Sequence, residues 1–178
     1  MKHFKIVFLF FLLNYSFPTF GFCSSVIFTV DITDLLKLTV PGKKLILENN
    51  KSRKLLQTEN EALENKLLTE EKELSELRNT LSTDEFRAKA IQFDKRVTGI
   101  RKKQAKKEED LNNQIRKEEA NFLKAIYPLL YEILSERGGV ILLDQRNVIL
   151  WDSSVDITSE AIDVINRVLG AGIKLDEK

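Results

Sequence analysis

The sequence predicts an α+β protein in which a small β-rich body, built from both chain ends, carries a long antiparallel α-helical hairpin as a coiled-coil-like arm. Three observations predict it. Residues 41–137 are densely charged and carry one narrow apolar stripe at helical spacing. Short β-branched and apolar runs flank that stretch, at 25–31 and 140–151. Pro41-Gly42 and Gly138-Gly139 punctuate the two junctions. A chain of 178 residues has room for about one domain, and more than half of this one is too polar to bury, so the core must be small.

The N-terminus predicts a secretory signal. Lys2, His3 and Lys5 precede the apolar run Ile6 to Leu13, and Asn14, Ser16 and Pro18 follow it. Gly21 and Cys23 occupy the minus-three and minus-one positions for cleavage after Cys23. An uncleaved anchor is the alternative, but the run is far short of the roughly 20 residues a bilayer core needs. A lipidated Cys23 is weaker still, because Phe22 stands where a small residue is normal. Cys23 is the only cysteine and His3 the only histidine. Cleavage therefore removes disulfides, thiol nucleophiles, histidine bases and Cys/His metal sites from the mature chain. It also leaves 26 basic residues against 27 acidic ones, a net charge of −1 that offers no global attraction to nucleic acid.

The first element is a strand over Ser25 to Asp31, with Val26, Phe28 and Val30 on one face and Ile27 and Thr29 on the other. Apolar residues on both faces suit a central strand. A short helical turn follows over Leu35 to Leu38, capped by Asp31 or Thr33. Pro41 then marks the first turn of a long helix, where proline loses no hydrogen bond.

Along that helix Leu56, Leu63, Leu67, Leu74, Leu77 and Leu81 form a seam interrupted by Asn60 and Glu70. Ser82 followed by Glu85 is a capping box, so the hairpin tip falls near 82–84. The second helix continues the stripe through Phe86, Ala90, Phe93, Val97, Ile100, Leu111, Ile115, Phe122, Ile126, Leu129 and Ile133, and Gly138-Gly139 stops it. Charge predicts the same fold-back. Between Glu59 and Glu76 seven acidic residues face Lys66 and Lys72, whereas nine basic residues face Asp94 between Arg87 and Lys107. Folding about Ser82 brings Arg101 to Lys107 level with about Thr58 to Leu63. Inter-helix pairing is the simpler reading of that basic run; a phosphate or lipid-headgroup patch is the other.

Three residues are candidate hinges. Pro41 and Pro128 lie at the base of the arm, Pro128 inside the second helix where it removes a hydrogen bond, and Gly99 weakens the helix near its middle. A fixed bend that seats the arm is the alternative for the prolines.

After Gly139 the pattern predicts a β-hairpin: Val140 to Asp144, a turn at Gln145 to Asn147, then Val148 to Asp152. A last helix follows from Thr158 or Asp156 as cap, with Ile162, Ile165, Val168 and Leu169 apolar, and 174–178 is a polar tail. Body segments 24–40 and 138–173 are marginal alone, which favours assembly with copies of the same chain. Val26, Phe28, Val30, Leu142, Leu150 and Trp151 are assigned to core and subunit contact, with a surface anchor as the alternative for Trp151.

The order of signal, a strand ending in Asp31-Ile-Thr-Asp34, Pro41-Gly42-Lys43, a charged hairpin, Val140-Ile-Leu-Leu-Asp144, Trp151-Asp-Ser-Ser154 and Asp156-Ile-Thr158 resembles the Skp/OmpH family of periplasmic chaperones. The resemblance covers essentially the whole mature chain, and its end segments are the more specific part. It implies a homotrimer whose arms enclose unfolded outer-membrane β-barrel proteins without ATP or any cofactor. No glycine-rich phosphate loop is present. The departure is charge: well-known members of the family are strongly basic, whereas this mature chain is close to neutral, which speaks against electrostatic attraction to acidic clients or lipid headgroups.

Enclosure implies that affinity comes from many weak contacts rather than one pocket. Leu68, Phe86, Ile91 and Phe93 are the candidate client contacts, with seam packing as their ordinary alternative. Two other function classes remain. A structural or adaptor hairpin would dock one fixed envelope partner. A hydrolase would use Asp144 and Asp152 as paired carboxylates, although two turn-capping aspartates are the more ordinary reading.

Overall fold

The computed structural model describes residues 26–170; the expected signal, its cleavage at Cys23 and the tail at 174–178 lie outside the described residues. The chain runs β1 (Val26–Val30), α1 (Ile32–Leu38), α2 (Val40–Leu77), α3 (Thr83–Glu136), β2 (Gly139–Asp144) and α4 (Thr158–Leu169), with short 3-10 turns at Gln145–Asn147 and Ser153–Val155. It is mostly helical, with a long two-helix hairpin and a two-stranded sheet where the chain ends meet.

Each helix start has a local cause. Asp31 caps α1, its Oδ1 accepting from the Thr33 and Asp34 amides at 2.7 and 3.1 Å. Buried Thr39 ends α1 and begins α2: its hydroxyl donates to the Leu35 carbonyl and accepts from the Gly42 amide. Gly42 is required there, because an added Cβ would stand 2.1 Å from the Leu36 carbonyl oxygen. Ser82 caps α3 through a reciprocal capping box with Glu85. Hydrogen bonds from Ser82 hold the Glu85 carboxyl below its ordinary range. Gly138, at φ +67°, supplies the left-handed residue that ends α3.

β1 and β2 pair in parallel, with Phe28 opposite Leu142 and Val30 opposite Asp144. The whole hairpin is thus their connection. On the other edge of β1, Thr29 bridges to Asp156, so β1 is flanked on both sides as its two apolar faces suggest. The two Asp-Ile-Thr segments interlock there. The Ile157 amide donates to the Thr29 carbonyl, the Asp31 amide donates to Thr158 Oγ1, and Asp156 Oδ1 accepts from the Thr158 amide and hydroxyl.

The predicted second strand, Val148 to Asp152, does not form. The Gln145–Asn147 turn is present, but the chain must cross from β2 to the far edge of β1, where Asp156–Thr158 is locked, and this segment makes that crossing. Leu150 is 87% exposed and Trp151 44%, so neither belongs to the core within the protomer. Phe28 and Val30 are buried in it, and Val26 and Leu142 pack against its edge. The core also draws on Phe122, Ile126, Leu130, Ile133 and Leu134 of α3, together with Leu35, Ile157, Ala161 and Ile165. The base of the long helix therefore closes the body. At about 1.5 Å per residue, the 38 residues of α2 extend roughly 57 Å.

Candidate functional site

The distal arm is two helices in contact along one stripe, with most other side chains facing solvent. Leu56, Leu63, Leu67 and Leu74 on α2 and Phe86, Phe93, Val97 and Ile100 on α3 are only half-buried. A two-helix seam has no third element to cover it.

The two long sides of that seam differ. On one, charges are paired: the Arg96 guanidinium meets Glu70 at 2.6 Å, Lys107 bonds Glu59, and Gln104 Nε2 donates to Glu59 at 3.1 Å. The register these contacts set places Arg101 to Lys107 against the stretch beginning near Glu59, as the charge pattern predicts. Hydrogen bonds from Lys107 and then Gln104 hold the Glu59 carboxyl below its ordinary range. Lys106 is satisfied within its own helix by Glu109 and Asp110. Among the described residues Arg101, Lys102 and Lys103 make no ion pair.

The other side is a groove of about 490 Å³ between the helices. Leu63, Leu67, Leu68, Phe93, Val97 and Ile100 line it, and Glu64, Glu71, Asp94 and Arg101 stand at its edges. Gln104 also reaches it, and its Oε1 is buried without a hydrogen-bond partner.

Of the four candidate contacts, Leu68 and Phe93 share this groove, and Leu68 is 56% exposed. Phe86 is half-buried near the tip and Ile91 is exposed, and neither lines the groove. At 100° per residue, Ile91 stands about 160° around α3 from Phe93. The Arg96 guanidinium lies 5.7 Å from the Phe93 ring centroid. Among the candidate hinges, Pro41 lies in the first turn of α2, Gly99 has open space around it, and Pro128 is exposed inside α3.

The body also exposes apolar side chains, which the sequence signals only in part. Val140, Ile141 and Leu143 of β2, the crossing residues Ile149 and Leu150, and Tyr127 and Tyr131 of α3 are all exposed. Below the tyrosines a cleft of about 480 Å³ is lined by Val30, Leu123, Leu130, Leu134 and Leu142. The tyrosines were legible as an i, i+4 pair off the main stripe, but a second stripe is easily read as solvent-facing.

The paired-carboxylate chemistry finds no support. The Asp144 carboxyl is engaged by Arg146, first through side-chain hydrogen bonds, which hold it below the usual range. Asp152 is likewise lowered by Ser154, whose amide it accepts at 2.8 Å. Each carboxylate is engaged within its own turn, Asp144 by Arg146 and Asp152 by Ser154, as turn-capping aspartates are. Among the described residues no cluster of His, Cys, Asp or Glu suits a metal ion, and no helix is long and apolar enough to cross a membrane.

Comparison with known proteins gives a family and a fold. Residues 26–165 match the family described as outer membrane protein (OmpH-like). The fold matches a crystal structure of a candidate outer membrane chaperone (OmpH-like) from Caulobacter crescentus CB15. The TM-score is 0.71 at 14% identity, over 85% of this chain and 89% of that one. No curated protein matches the sequence.

Proposed function

The chain belongs to the OmpH-like outer membrane protein family, and from that premise we propose that it is an ATP-independent holdase of the periplasm. It would act as a homotrimer that keeps unfolded outer-membrane β-barrel proteins from aggregating between its arms. The family and the fold of the Caulobacter chaperone candidate support a chaperone role. The observation that carries the finer reading is the arm itself: a two-helix hairpin whose apolar seam is left half-exposed over its distal length.

An unfolded barrel strand offers alternating apolar side chains and unpaired backbone, and it is hazardous at high local concentration. Many shallow apolar contacts along several arms hold such a chain by multivalency and let it leave without an energy source. Leu68, Phe86, Ile91 and Phe93 are the client contacts in this reading, and bending at Pro41, Gly99 and Pro128 adapts the arms to clients of different size.

Assembly would use the body. Exposed Ile141, Leu143, Ile149, Leu150, Trp151 and Tyr131 are apolar side chains of the body that contact between copies would cover. In this reading segments 24–40 and 138–173 are the trimerisation body. The arm's cationic run at Arg101 to Lys103 can meet lipid headgroups, but catalysis, nucleic acid and cofactors have no part.

The test is light scattering after size exclusion, with the chain from Ser24 alone and after dilution of a urea-unfolded barrel protein into it. A trimer that keeps the client soluble in a discrete three-to-one complex is expected. A monomer or dimer that lets the client aggregate would overturn the reading in favour of an adaptor hairpin docking one fixed envelope partner.

A further inference from the structure

The two sides of the arm are chemically unlike: inter-helix ion pairs bridge one, and an apolar groove edged mainly by unpaired carboxylates runs along the other. On the paired side, Glu59 and Glu70 are matched by Lys107 and Arg96. At the groove, Glu64, Glu71 and Asp94 have no ion pair among the described residues, and Arg101 is the single cation beside them. These four edge residues leave a net charge of two negatives around a floor of Leu67, Leu68, Phe93 and Val97. Everything unsatisfied there except Arg101 accepts hydrogen bonds or attracts cations.

We infer that the groove between α2 and α3 is a client subsite selective for extended segments in which an apolar or aromatic side chain is flanked by lysine or arginine. The apolar side chain enters over Leu68 and Phe93. The flanking cations reach Glu64 and Glu71, which lie seven residues apart on α2, about 10.5 Å along its axis. In an extended peptide the residues on either side of one apolar residue lie about 7 Å apart, and the length of lysine or arginine side chains makes up the rest of the distance to both carboxylates. A segment flanked by acidic residues meets like charges instead, and this repulsion supplies much of the discrimination. The subsite rests on the holdase reading, and it gives this near-neutral chain a client preference that net charge alone would not.

The experiment uses the full chain from Ser24 and two fluorescent peptides with the same apolar residues, one Lys-flanked and one Glu-flanked, read by anisotropy. The Lys-flanked peptide is expected to bind about three- to tenfold tighter at low salt, with the difference shrinking as salt rises. Glu64→Gln with Glu71→Gln should erase the preference, and Glu64→Lys with Glu71→Lys should reverse it. A photo-crosslinker at Leu68 should capture an unfolded client that the same probe at Lys103, on the paired side, captures less.

Equal binding of both peptides by wild type, with unfolded client still held, would overturn the subsite and leave the chaperone reading intact. Failure to hold client or peptide at all would overturn both. If the charge changes alter only the mass of the assembly, or Leu68 crosslinks only to a neighbouring copy, the groove is an arm-to-arm contact and the subsite is wrong.

Discussion

Helix α3 passes through two environments, and the contrast between them separates what holds this protein together from what it offers to other molecules. Near its base, Phe122, Ile126, Leu130, Ile133 and Leu134 belong to the core cluster and are covered by β2 and α4 as well as by α2. In its distal half, Phe86, Phe93, Val97 and Ile100 have the same helical spacing but meet only α2 and remain half-buried. The apolar pattern is alike in both regions. Burial differs because only the base has enough elements to surround it. The body thus carries the stability, and the arm keeps apolar surface in reserve.

The sharpest way to break that contrast is to remove matched side chains. Ile126→Ala empties a fully buried site and should cost about 2–5 kcal/mol in urea denaturation. Leu63→Ala in the seam should cost clearly less, on the order of 1–2 kcal/mol, because much of its surface already meets water. Equal losses would mean that the arm is as well packed as the body. Next in size is Gly42→Ala, which drives a Cβ into the Leu36 backbone and should cost about 1–3 kcal/mol in the same measurement. A neutral result would show that the α1–α2 joint yields easily.

Effects in the distal arm should be smaller and more local. Ser82→Ala removes the capping box and should cost about 1 kcal/mol in the first turn of α3. Faster amide exchange at 83–88, with an unchanged urea midpoint, is the expected result.

Smallest is the pH response of the Glu59–Lys107 contact. The Glu59 carboxyl is held below its ordinary range by Lys107, so its contribution is complete above the unfolded value and disappears as pH falls through the lower folded one. Exchange in the arm should rise in that acidic window at constant body protection, and Glu59→Gln should flatten the response. Protection that falls together in body and arm would show one cooperative unit instead of two.

What the sequence could say followed the same division. Arm features are local or additive: a capping box needs only Ser82 and Glu85, a helix stop only Gly138, and the register emerges from summed charge. Each was legible. The sheet was not, because β1 and β2 pair across more than 100 intervening residues and two apolar runs around a three-residue turn look the same whether they pair or diverge. Val148 to Trp151 diverges because Asp156–Thr158 is tied to β1 by Thr29 and Asp31. For the candidate contacts, spacing identified Leu68 and Phe93 as apolar, but only the crossing of two helices brings them into one groove.

The most direct test of this division of labour is hydrogen exchange of the assembled protein with and without an unfolded barrel client. The account predicts that added protection falls within the arm, around Leu63 to Glu71 and Phe93 to Gln104, while β1, β2 and α4 are unchanged. Protection gained in the body, with none in the arm, would contradict it.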